Sequence, residues 1–200
     1  MEGIVFYWFS WIAWVFSTFF MKKGKKRLIL SAAILLFIIG SNHIVRISSI
    51  SINLTFLLLI LFTLSVVSIN VRGWTLIYFL ISSLIITMGY VGFHLFELFD
   101  PVWLLFDRNL MLSVAMVYLT LMLLKDSSHR MMVMIIGVCN GELLYTYILS
   151  RFSFPHEIGS FQFLDVMAIM TLLVMFWSIL EKVTMIWETH FQARTKGKAG

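Results

Sequence analysis

The stretch WTLIYFLISSLIITMGYVGF, residues 74–93, runs for twenty residues without a charged side chain. A hydrocarbon core of roughly 30 Å takes about 20 apolar helical residues to cross. Lipid offers no water to backbone amides and carbonyls, so only a helix or a closed barrel satisfies them there. Barrel strands alternate polar and apolar residues over about ten positions. Residues 74–93 do not alternate, and the segment reads as a spanning helix.

Similar runs lie on both sides of it. Spans are expected at about 3–21, 28–45, 54–69, 74–93, 107–124, 131–149 and 161–180, within one domain over 1–180. Residues 181–200 form a basic cytoplasmic tail, with Ile186, Trp187 and Phe191 suited to the membrane surface. The fold class is therefore all-α, a polytopic transmembrane bundle of seven helices. The third span is the shortest, and its start could reach back to Ile50. His94–Phe106 is apolar but broken by Glu97, Asp100 and Pro101, and reads as an interfacial turn. Composition agrees: 60% of residues are hydrophobic and 12% charged, with mean hydropathy +0.96. Soluble domains lie near 45–50% and about 25%.

Charge sets the expected orientation. The first apolar run follows Glu2 and precedes Lys22, Lys23, Lys25, Lys26 and Arg27. A cleavable signal would carry its positive charge first and small residues at its end, where this chain has Phe19, Phe20 and Met21. Of the fifteen Lys and Arg, only Arg46, Arg108 and Arg151 fall on the other side of the seven-span map. Positive residues mark the cytoplasmic side, so the N-terminus is expected outside and the C-terminus inside. The same bias accounts for the net charge of +5 without a nucleic-acid partner. Pro101 and Pro155 both fall in expected outer loops, so no span is kinked by proline.

Polar chemistry collects at the expected outer ends: His43, Arg46, His94, Glu97, Asp100, Asp107, Arg108, Arg151, His156, Glu157 and Asp165. Such groups end helices and anchor depth in any polytopic protein. The functional alternative is an outward mouth for an envelope ligand or a partner. His43 and Asn42 are expected inside the second span, where ionisable groups face the bundle or a cavity. Glu142 is expected near mid-membrane, eleven residues and about 16 Å into the sixth span. On the other spans Ser41, Asn42, Thr87, Ser113 and Thr171 lie at similar depth, without Lys or Arg. An acid there is costly, so Glu142 should hydrogen-bond to an amide or hydroxyl of another span. Interhelical bonding is the plainer role, and a proton or cation path the sharper one.

Gly137 and Gly141 form a Gly-x-x-x-Gly pair that lets another helix approach closely, with Asn140 beside it. Gly89 and Gly92 make a similar small-residue patch, and packing within the bundle is favoured over homodimerisation. Cys139 is a lone cysteine inside an apolar run, so it reads as a small buried hydrophobe.

No zinc motif, nucleophile elbow or phosphate-binding loop occurs. The last span holds no lysine for a retinal Schiff base. No catalytic residue, metal or cofactor is expected, and structural roles are favoured over haem ligation for His43 and His94.

Three segments carry a family likeness. The opening Met1-Glu-Gly-Ile-Val-Phe-Tyr-Trp-Phe-Ser-Trp-Ile-Ala-Trp, the Lys-Lys-Gly-Lys-Lys-Arg turn at 22–27 and the Phe-Pro-His-Glu-Ile-Gly loop at 154–159 resemble the YphA family of Bacillus membrane proteins. The resemblance implies the cytoplasmic membrane of a Gram-positive cell. It transfers no catalytic or binding residue, because the family's activity is uncharacterised.

The expected function is a non-enzymatic scaffold, sensor or accessory subunit in the lipid bilayer, with a membrane or envelope protein as partner. A transporter using Glu142 and His43 is the first alternative, and a membrane-embedded enzyme acting on lipid or envelope substrates the second. A transporter needs a polar path through both halves of the membrane. An enzyme needs titratable groups and a nucleophile converging within hydrogen-bond reach.

Overall fold

Apolar runs become helices wherever the chain can hydrogen-bond to itself, and polar residues end them. In the computed structural model, residues 2–47, 50–100, 102, 104, 106–152, 154 and 157–196 are described, with backbone alone for 47, 50 and 188–196. Pro101, Pro155, His156 and Lys198 lie outside the described residues. The helices are α1 (Ile4–Phe19), α2 (Lys25–Gly40), α3 (Leu54–Asn70), α4 (Trp74–Phe99), α5 (Arg108–Leu123), α6 (Ser127–Arg151) and α7 (Phe161–Lys196). Two strands, β1 (Ile44–Ile47) and β2 (Ile50–Asn53), stand between α2 and α3.

Three of these helices are long and apolar enough to cross a membrane: Trp74–Phe99, Ser127–Arg151 and the Phe161–Trp187 part of α7. The other four have 16 or 17 residues. At 1.5 Å per residue they measure about 24–26 Å, short of a full hydrocarbon core.

The second expected span, to residue 45, stops early. α2 ends at Gly40, and His43 and Asn42 are exposed beyond it rather than buried within a helix. The backward extension of the third span is also overturned, because residues 50–53 are strand. β1 and β2 form an antiparallel hairpin, with Ile44 opposite Asn53 and Arg46 opposite Ser51. β-Branched isoleucine and valine alternating with polar residues favour the strand here. Asn53 then starts α3: its side-chain oxygen accepts from the Thr55 amide at 2.9 Å, and its Nδ2 donates to the Ser41 carbonyl at 2.9 Å. One residue thus serves the beginning of α3 and the open carbonyls after α2.

The interfacial turn expected over residues 94–106 is half helix. α4 continues through His94 and Glu97 to Phe99: His94 and Glu97 turn toward the bundle, Phe96, Leu98 and Phe99 are exposed, and no proline intervenes before Pro101.

The chain runs up and down, so one end of the bundle carries the N-terminus, the hairpin, the α4–α5 connection and the α6–α7 loop. We refer to this as the hairpin end, and to the opposite one, with the turn at 22–27, as the basic end. Ile158 joins the hairpin end in a parallel bridge to Ile52, donating to the Ser51 carbonyl at 3.0 Å and accepting from the Asn53 amide at 2.9 Å.

α4 and α6 form the main packed seam, with α5 and α7 against it. Fully buried Ile86, Leu112, Val133, Met134, Val138, Leu164 and Met170 form its centre. Gly137 and Gly141 face α4. A Cβ on Gly137 would lie 2.7 Å from Ile86 Cγ2, and one on Gly141 would lie 2.7 Å from Tyr90 Cδ1. Gly89 meets Met116 of α5 at an ordinary distance, whereas Gly92 has open space beside it, so the expected α4 patch is no close approach at that position.

Candidate functional site

The Gly137–Gly141 seam brings α4 close to α6 and sets Glu142 beside it, 3% exposed. Because α6 begins at Ser127, Glu142 stands about 22 Å from the basic end of the helix and about 14 Å from the other, nearer the hairpin end than the mid-depth position expected. Its hydroxyl partner is Tyr90, which donates to Oε2 at 2.7 Å. The Gly159 amide donates to Oε1 at 3.4 Å.

That second contact requires the α6–α7 loop to fold down into the bundle. Gly159 makes this possible. Its φ is +73°, and an added Cβ would stand 2.5 Å from Cβ of Phe56. Ile158 beside it is buried.

From Tyr90 the polar groups continue toward the hairpin end. Its ring meets His94 edge-on at 4.5 Å, and His94 stacks on Tyr145 at 4.8 Å with 26° between planes. Nδ1 of His94 lies 3.1 Å from Nη2 of Arg108, a donor-only group, and 3.4 Å from Oε2 of Glu97. Nε of Arg108 stands 2.6 Å from Oε1 and 2.8 Å from Oε2 of Glu97. The column therefore runs from a buried carboxyl, through a phenol and an imidazole, to an ion pair whose side chains are 31% and 19% exposed.

Toward the basic end the surroundings change. Ile86, Val133, Met134, Val138, Met170 and Val174 are at most 1% exposed. Several hydroxyls here serve nearby carbonyls, while Ser82 Oγ is buried without a hydrogen-bond partner among the described residues. Thr87 donates to Ser83 and Gly137 and Thr120 to Met116, while Ser113, near the start of α5 at the hairpin end, donates to Asn109 and Val166. Farther on, Arg130 is buried and donates to the Leu124 carbonyl at 2.6 Å and to Glu181 at 2.7 Å, tying α6 to α7. Asp126 caps α6 and pairs with His129, which holds its carboxyl below the usual carboxylate range, chiefly through the side-chain hydrogen bond.

The remaining residues singled out in the sequence do not join the column. Asn140 is exposed on the outer surface of α6, so it does not bond across the glycine seam. The helical turn that directs Gly137 and Gly141 inward turns it away. Arg46 is exposed on β1. Asp107 caps α5 by accepting from the Asn109 and Leu110 amides at 3.0 and 3.2 Å. Arg151 bonds to the Tyr147 hydroxyl at 2.7 Å and lies over the same ring. Glu157 is half-buried. Asp165, 4% exposed on α7, caps α1: its oxygens accept from the Gly3 and Phe6 amides at 2.7 and 2.8 Å.

Tyr90, Tyr145 and Gly159 were not among the residues singled out. Positions 90, 94 and 97 fall on one helical face, a signal that becomes visible only once α4 runs through Phe99. Among the described residues, no group of three His, Cys, Asp or Glu side chains is placed to hold a metal ion.

A Bacillus subtilis (strain 168) protein described as "Uncharacterized protein YphA" is 28% identical over 165 residues, covering 82% of this chain and 81% of that protein. No solved structure matches. The model of the YphA-like integral membrane proteins matches residues 2–200, and with its apolar helices the chain belongs to that family.

Proposed function

We propose that this protein is a multi-pass component of the cytoplasmic membrane that works without catalysis, as a scaffold, sensor or accessory subunit presenting its hairpin end to a membrane or envelope partner. The positive-inside bias supports an outer hairpin end and a cytoplasmic basic end. The observation that carries the reading is the one-sided polar column. From Glu142 it leads toward the hairpin end, while packed apolar side chains lie in the other direction. Both described bonds of Glu142 hold structure together, one to α4 and one to the α6–α7 loop.

Proteoliposomes test this against proton-linked transport, which the column would serve over half the membrane. The expected result is no protein-dependent proton flux, together with a marked loss of thermal stability in Glu142→Ala. That change leaves the Tyr90 hydroxyl without its Glu142 partner, and a buried polar group so treated costs about 1–3 kcal/mol. A proton current abolished by Glu142→Gln in a folded variant would overturn the proposal. Orientation is checked separately, by membrane-impermeant labelling of single cysteines near Lys26 and Arg46. Only the latter should react in intact cells.

A further inference from the structure

The turn between α1 and α2 places Lys22, Lys23, Lys25, Lys26 and Arg27 within six residues. The four lysines are exposed. Arg27 is half-buried and donates to the Thr18 carbonyl at 3.2 Å, which holds the turn against the end of α1.

No Asp or Glu occurs between Glu2 and Glu97, so α1, α2 and α3 contain no acid. The ion pairs among the described residues join His94 and Arg108 to Glu97, His129 to Asp126 and Arg130 to Glu181. Every one of them belongs to α4–α7 or their connections. The cations of the 22–27 turn therefore repel one another without a counter-charge from their own part of the chain. Topology does not demand this density, since Arg72 is the lone cation of the α3–α4 turn at the same end.

The neighbouring surface is aromatic. Phe16 stacks on Phe20 at 5.4 Å, and Phe19 and Phe20 are 72% and 73% exposed just before Lys22. An apolar wall meeting a dense cationic edge matches a molecule with acyl chains and a negative head.

We propose that this corner binds anionic phospholipid, with acyl chains along the aromatic surface of α1 and the headgroup phosphodiester among Lys22, Lys23, Lys25 and Lys26. The lipid supplies the negative charge that the first three helices lack. Each cation near an anionic membrane surface contributes roughly fivefold in binding.

The test uses the purified full-length chain in mild detergent, with native mass spectrometry after addition of phosphatidylglycerol or phosphatidylcholine. Phosphatidylglycerol should be retained preferentially, and raising salt should weaken that preference. Lys22→Gln/Lys23→Gln keeps three cations in the turn, and with them its topological signal. It should lower the preference by about 25-fold, while Lys22→Arg/Lys23→Arg should keep it. Arg72→Gln should leave it unchanged. Equal retention of both lipids by the native protein would overturn the proposal, as would an undiminished preference in the glutamine variant. Displacement of the lipid by an equal concentration of inorganic phosphate would also overturn it, by showing a site for free anion.

Discussion

Helices α2 and α6 are both apolar segments of an integral membrane protein, yet they use their surfaces in opposite ways. α6 buries twelve of its 25 residues, including Arg130 and Glu142, and touches α3, α4, α5 and α7. α2 buries Ala33 and Gly40 alone and packs on α1 and α3, leaving Leu28, Ile29, Leu36 and Ile39 exposed. Apolar content does not distinguish the two, because lipid and protein interior are similarly free of water. Small and polar side chains do. Gly137 and Gly141 admit the backbone of α4, and the polar groups beside them gain partners there that lipid cannot supply. α2 has no such seam, and its only close glycine, Gly40, meets Thr55 at the hairpin end.

The contrast breaks most readily at Gly141. Gly141→Val places side-chain atoms where the Tyr90 ring already sits, and overpacking of this kind costs about 1–3 kcal/mol. The thermal midpoint in detergent should fall, whereas Gly92→Ala, which meets open space in the same α4–α6 region, should hold or raise it. Equal losses at both positions would mean that close packing is not what sets α6 apart.

A smaller effect sharpens the account of the peripheral helices. Asp165 of α7 caps α1 across 162 residues of sequence. Asp165→Ala should cost about 1 kcal/mol, and faster amide exchange should be confined to the first turn of α1. Exchange spreading through α6 instead would show that α1 is no separable periphery.

The smallest effect concerns acid. The Asp126 carboxyl is held below its ordinary range by His129, so its contribution is present above the unfolded-state pKa and disappears as pH falls through the folded one. Asp126→Asn should remove that part of the acid-side loss of stability while leaving the difference between α2 and α6 untouched. Thermal midpoints measured from neutral pH to below pH ~4 check this.

Much of the helical framework was legible beforehand, because twenty apolar residues in lipid can satisfy their backbone only by local helical bonds. The starts of α3 and α7 could be read at Leu54 and Phe161, where the apolar runs begin. The hairpin was not legible. Residues 44–53 still carry five isoleucines and valines directly after an apolar run, and the hairpin they form is joined by Ile158, more than a hundred residues away. The same distance hid the site. Glu142 was conspicuous as an isolated deep acid, but its company of Tyr90, Gly159 and, through Tyr90, His94 and Arg108 comes from three other parts of the chain. Asn140 carried the same polar signal two residues earlier and lies outside, because the helical turn separates their faces.

Sequence alone thus determined what is local: which segments are helical in lipid, and where positive charge gathers along the chain. Tertiary structure decided which face of each helix meets protein, how far the α6–α7 loop descends, and which polar groups share a column. Those outcomes depend on how closely helices far apart in sequence approach, and a glycine, a tyrosine ring or one backbone amide alters that distance without altering hydropathy.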